Sequence, residues 1–100
     1  MKVTNAMLLL VVGLSLGSPT VQAKDACETV LCMFGKYKGE DPSECDPAVR
    51  DYFSIIEYKK HGKIDWSGTS NARQEFLDSC PQADSGATKK INDMFGKAGG

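Results

Sequence analysis

Four cysteines in a chain of 100 residues, all downstream of a leader-like N-terminus, constrain this protein more than any other feature. Lys2 is followed by an uncharged apolar run over residues 6–16 (AMLLLVVGLSL), then by Pro19, and then by Val21-Gln22-Ala23, which puts small residues where a signal peptidase reads. That order predicts a secretory signal peptide over residues 1–23, cut after Ala23. The apolar run is eleven residues long, whereas a membrane span needs about 20. A retained transmembrane helix is therefore not expected, nor is stable membrane insertion after cleavage. The first cysteine lies beyond Lys24-Asp25, so lipidation at the cut is not expected either.

Export decides how Cys27, Cys32, Cys45 and Cys80 are read. An even number of cysteines in an oxidising compartment defaults to disulfides. A structural zinc site brings a close pair of ligands at each end of its loop. Here the spacing is C-x4-C, then twelve residues to Cys45, then a long gap to Cys80, with His61 as the lone histidine. No metal and no cofactor is expected, and the C-x-x-C of a redox-active dithiol is absent. Removal of residues 1–23 leaves 77 residues for folding, enough for one small domain with a modest core that commonly needs covalent support. That remainder carries eleven basic and thirteen acidic residues. A concentrated basic surface for phosphate neutralisation is missing, so direct nucleic-acid binding is not expected.

Periodicity gives helices. Asp25 is an N-cap and Glu28 follows three residues later, opening a helix over 26–34 that Gly35 ends. Cys27, Val30, Leu31 and Phe34 fall at i, i+3, i+4 and i+7 and predict one core-facing stripe. Residues 36–45 (KYKGEDPSEC) read as a loop. Asp46-Pro47 reads as an N-cap with proline at N1, starting a helix over about 47–60 that buries Val49, Tyr52, Phe53 and Ile56 and stops at His61-Gly62. A third helix is expected over 71–79, capped by Thr69 or Ser70, with Phe76, Leu77 and Cys80 on its inner side. A fourth carries Ala87, Ile91, Met94 and Phe95 on one stripe. Residues 96–100 are glycine-rich and terminal, and are expected to form a flexible tail. No segment alternates like a strand, so the fold class is all-α, a small bundle of three to four short helices stapled by two disulfides over 24–95.

Cys27 and Cys32 lie five residues apart in one helix, rotated well away from each other at about 100° per residue, so they do not pair. Two connectivities remain. Cys32 with Cys45 and Cys27 with Cys80 is favoured, worth about 3 and 4 kcal/mol by chain entropy. Cys27 with Cys45 and Cys32 with Cys80 stays open at this level.

No constellation for catalysis emerges, and the chain is not expected to be an enzyme. His61 sits beside a glycine at a helix stop, and Glu40, Asp41, Glu44 and Asp46 lie in or beside a polar loop. No two carboxylates stand out as a cleft pair, and neither a phosphate-binding glycine loop nor G-x-S-x-G is present. Lys59, Lys60, His61 and Lys63 form a basic cluster. We read it as charges favourably placed at a helix C-terminus rather than as a lipid or phosphate site, because the charges are few and no exposed aromatic pattern flanks them. The aromatics Tyr37, Tyr52, Phe53, Tyr58 and Trp66 crowd the middle third. They either wrap the short helices or leave a surplus for partner docking, with Tyr52, Tyr58 and Trp66 as the candidate contacts.

The segment Asp25-Ala26-Cys27-Glu28-Thr29-Val30-Leu31-Cys32-Met33-Phe34-Gly35, the step Glu44-Cys45-Asp46-Pro47 and the run Tyr52-Phe53-Ser54-Ile55 together resemble the TrbM/KikA/MpfK family of conjugal transfer proteins. The likeness covers nearly the whole chain after residue 23. It implies a small periplasmic accessory of plasmid mating-pair formation, associated with a type IV secretion apparatus, and brings no catalytic residue. The expected partners are protein components of that apparatus. Two other readings are weighed against it: an inhibitor or cofactor of a peptidoglycan-cleaving enzyme, and a toxin or host-exclusion factor.

Overall fold

The computed structural model describes residues 25–100; the signal peptide expected over 1–23 and its cut lie outside these residues. The described chain forms four α-helices, α1 (Ala26–Tyr37), α2 (Asp46–Phe53), α3 (Trp66–Asp78) and α4 (Ser85–Phe95), with 3-10 turns at Ser43–Cys45 and Lys60–Gly62. No strand forms among them; Tyr58 and Ile64 make an isolated antiparallel bridge. The all-α expectation holds.

Helix α1 starts where its cap requires. The Asp25 carboxylate accepts the amides of Cys27 at 3.0 Å and Glu28 at 3.2 Å, satisfying donors that have no partner inside the helix. It packs against each of the other three helices, and the core gathers Val30 and Met33 of α1 with Tyr52, Leu77, Cys80 and Ile91. Helices α3 and α4 run antiparallel. Ser70 bonds to Asn92, while Gln74 and Asp78 both bond to Thr88.

Two disulfides are formed, Cys27–Cys80 and Cys32–Cys45, which selects the favoured connectivity. The first ties α1 to the end of α3, and the second ties α1 to the start of α2. With all four sulfurs in S–S bonds, no cysteine thiolate is left for a metal.

Several expectations need correction. The second helix stops at Phe53, not near residue 60. The carbonyl of Phe53 and that of Ile55 are taken by the Arg73 side chain at 3.2 and 3.1 Å, and the amide of Glu57 is taken by the Thr69 hydroxyl at 2.8 Å. Groups that would have continued the helix are thus bound by α3 instead. Asp46 is the first helical residue of α2 rather than its cap, because the turn Ser43–Cys45 runs directly into the helix. The third helix begins at Trp66, since the Asp65 carboxylate caps it through the Gly68 amide at 2.9 Å. Gly68 leaves room for this cap: a Cβ would sit 2.8 Å from the Asp65 Oδ2 and push the carboxylate aside. Leu31 and Met94, expected in the core, are 75% and 55% exposed. The core-facing stripe of α1 runs instead through Thr29, Val30 and Met33, and that of α4 through Thr88, Ile91 and Asn92.

The tail also differs from expectation. Arg73 Nη1 donates to the carbonyls of Phe95, Gly96 and Ala98 at 3.0, 3.2 and 2.7 Å. These bonds fold residues 96–98 back against the bundle rather than leaving them free, and Gly96 is buried.

Candidate functional site: an apolar groove over a disulfide

Helix α1 carries more apolar residues than one stripe can hold. Cys27, Val30, Leu31, Cys32, Met33 and Phe34 occupy well over the roughly 100° that a core-facing face needs. Once Met33 turns inward, Leu31 is left facing water, with Val30 and Phe34 shared between the core and that second side. There they form one wall of a groove of about 520 Å³, whose other wall is the α3–α4 turn with Gln82, Ala83 and Asp84, and Ala87 of α4. Cys27 and Cys80 line it too, so a covalent bond spans its two walls. Gln82 Oε1 lies 3.2 Å from Cys27 Sγ and 3.5 Å from Cys80 Sγ. Bonded sulfurs carry no proton, so this is a contact that shields the disulfide, not a hydrogen bond.

The groove has apolar walls and an acidic edge. Asp84 lines it while accepting the Ala87 amide at 3.0 Å as the α4 cap, and Glu28 lies one turn before Leu31 on α1 and is exposed. No lysine or arginine lines it. The sequence held a signal for this site in the excess apolar width of α1, which reading 27, 30, 31 and 34 as a core stripe concealed.

The aromatics expected at a docking surface have different fates. Tyr52 is completely buried, which corrects its assignment as a contact residue. Its hydroxyl donates to Asn92 Oδ1 at 2.6 Å, and Asn92 Nδ2 in turn donates to the Ser70 carbonyl at 2.9 Å, a chain of bonds joining α2, α4 and α3. Trp66 is half-buried. The rings of Tyr52, Phe53 and Trp66 stand 5.1, 5.1 and 5.8 Å from the Arg73 guanidinium carbon, within cation–π range. These three wrap the bundle. Tyr58 alone of the candidates is strongly exposed, at 64%, and it lies in the loop after α2.

Arg73 itself is fully buried and went unnoticed in the sequence. Among the described residues no carboxylate is in ion-pair range of it. Five carbonyls take its place, and three of their residues, Phe53, Phe95 and Gly96, lie at the C-terminal ends of α2 and α4, where the helix dipole is negative. Burial lowers the guanidinium pKa, partly offset by the Tyr52 phenol. Burial also pushes the Tyr52 phenol well above its ordinary value, with the Arg73 charge opposing it. Both groups therefore keep their neutral-pH forms, the arginine charged and the tyrosine protonated. Arg73 is a structural clamp facing inward, whereas the groove faces solvent.

Among the described residues no helix is long and apolar enough to cross a membrane. The family model TrbM matches residues 19–98. No curated protein matches the chain, and no solved structure does. The chain belongs to the TrbM family, and with it to the proteins of conjugal transfer.

Proposed function

We propose that this member of the TrbM family is a periplasmic, non-enzymatic accessory of plasmid mating-pair formation that works by binding a protein of the type IV secretion apparatus in the groove between α1 and the α3–α4 turn. The observation that carries the reading is Leu31, 75% exposed on the wall of an apolar groove. A large aliphatic side chain held in water beside other apolar walls is the usual mark of a surface that another chain covers. The occupant is an apolar segment with a basic residue beside it, matched to Leu31, Phe34 and Ala87 on the walls and to Glu28 and Asp84 at the edge.

The two disulfides support the oxidising compartment, since such bonds persist outside the cytosol. Placing the protein in the periplasm also fits the leader read from residues 1–23. No chemistry is asked of the chain; its task is to present a rigid apolar surface.

A photoreactive amino acid at position 31, in donor cells carrying the complete transfer region, tests this. Adducts with secretion-channel subunits are expected, and the same residue at position 75, exposed on α3 and outside the groove, yields none. Adducts with a peptidoglycan-cleaving enzyme would move the reading to that rival. Growth arrest on expression without either adduct would favour the toxin reading.

A further inference from the structure

The basic cluster of Lys59, Lys60, His61 and Lys63 loses the explanation that its sequence suggested. Helix α2 ends at Phe53, six residues before Lys59, so these charges do not sit at a helix C-terminus, where any dipole effect is confined to the last turn. They occupy the tip of a hairpin-like arm. The Asp65 amide donates to the Glu57 carbonyl at 2.8 Å, Tyr58 and Ile64 form the antiparallel bridge, and the Lys59 amide donates to the Lys63 carbonyl at 2.6 Å. The 3-10 turn Lys60–Gly62 closes the arm, with His61 and Gly62 at φ 68° and 81°. Lys59, Lys60, His61 and Lys63 are all exposed.

Two further observations give the tip a ligand. The lysines pair with no described carboxylate, the ion pairs of this structure being Lys36 with Asp41 and Lys89 with Asp93. Tyr58, 64% exposed, adjoins them at the base of the same tip, which supplies the exposed aromatic that the sequence alone did not show. Charge is also segregated. Residues 58–63 hold three lysines and no acid, with Glu57 and Asp65 at the base of the arm, while the remainder of 25–100 holds seven bases against thirteen acids.

We propose that the tip formed by residues 58–63 is a peripheral attachment site for a bilayer surface bearing anionic phospholipid headgroups. The closed turn holds its three exposed lysines within a few residues of one another, close enough to meet a plane of phosphates together, and Tyr58 has the apolar ring and polar end suited to the headgroup level. The acidic body is repelled by the same surface, so the molecule stands off the membrane on its arm. Duplex DNA fits less well, because binding there needs a broad basic surface and this body is acidic.

Flotation of the protein purified from expressing cells with vesicles tests the proposal. Vesicles of phosphatidylcholine are compared with vesicles one-third phosphatidylglycerol, at low and at high salt. Binding is expected to the anionic vesicles alone and to be lost at high salt, where the Debye length shrinks to about 3 Å. Replacing Lys59, Lys60 and Lys63 together by Gln should weaken it about 100-fold, at roughly fivefold per lysine, with the circular dichroism melt unchanged. The same three positions as Arg should retain it, and Tyr58→Ser should weaken it further at constant charge. Equal binding to neutral vesicles, undiminished binding by the triple Gln variant, or capture of duplex DNA or an acidic peptide in place of vesicles would overturn the proposal.

Discussion

The two ends of the α3–α4 hairpin are held together by different physics. At the turn end, Cys27–Cys80 binds α1 to the hairpin covalently, and the surface around it is apolar and open. At the opposite end, Arg73 gathers the last carbonyl of α2, the loop carbonyl of Ile55 and the carbonyls of Phe95, Gly96 and Ala98, and the surface around it is closed. A groove stays open in water only if something other than its own apolar contacts holds the walls apart and together. The disulfide does so without filling the space. The arginine end needs no opening, and there one side chain satisfies polar groups that would otherwise be stranded.

The contrast can be broken from either side. The largest effect is expected from Arg73→Ala. Five carbonyls lose their donor at roughly 1 kcal/mol each, about 5 kcal/mol in total, which equals the whole stability of many small domains; circular dichroism should show an unfolded or barely folded chain. Arg73→Lys should recover part of this, because a single ammonium lacks the planar fork that reaches both helix ends. Next, removing Cys27–Cys80 by double Ser substitution should cost about 4 kcal/mol, and removing Cys32–Cys45 about 3 kcal/mol, from the loops each closes. Thermal melts that reverse this order would contradict the view that the longer crosslink carries the groove.

Smaller effects sharpen the arginine end. Gly96→Ala would put a Cβ 2.6 Å from Ser70 Oγ and 2.9 Å from Asn92 Nδ2, and should cost about 1 to 3 kcal/mol in urea unfolding. Tyr52→Phe removes the bond to Asn92 at about 1 kcal/mol. It should also change the alkaline response. The folded-state pKa of the Tyr52 phenol is raised, so its contribution is complete below the unfolded value of about 10 and is lost as pH rises beyond that. The decline of stability above pH 10 should be shallower in the Phe variant. Leu31→Ser, on the open wall of the groove, should stay within about 0.5 kcal/mol of the parent.

Much of this architecture could be read in the residues. Periodicity gave four helices, Asp25 gave the start of the first, and five-residue spacing kept Cys27 from Cys32. Where the reading failed, tertiary hydrogen bonds overrode local pattern. Val49, Tyr52, Phe53 and Ile56 keep perfect helical spacing, yet Arg73 and Thr69 take the groups that would extend α2 past Phe53. A third helix counted from residue 71 hides Arg73 in its first turn. Begun at Trp66, the helix brings Thr69, Arg73, Leu77 and Cys80 onto one side, and a charged residue among those core positions is a visible anomaly. The glycines of residues 96–100 suggested a loose end, and nothing local announces that an arginine more than twenty residues earlier holds it. The groove was not legible as a site: Cys27, Val30, Leu31 and Phe34 share a stripe that reads as a core face, and the docking candidates Tyr52, Tyr58 and Trp66 line none of it.

Mating frequency of donors carrying Leu31→Lys in place of the parent tests the groove most directly. The account predicts that transfer falls by an order of magnitude or more, as when a central contact residue is lost, while the purified variant melts at the parent's temperature. Transfer at the parent's frequency by a normally folded Leu31→Lys protein would contradict it.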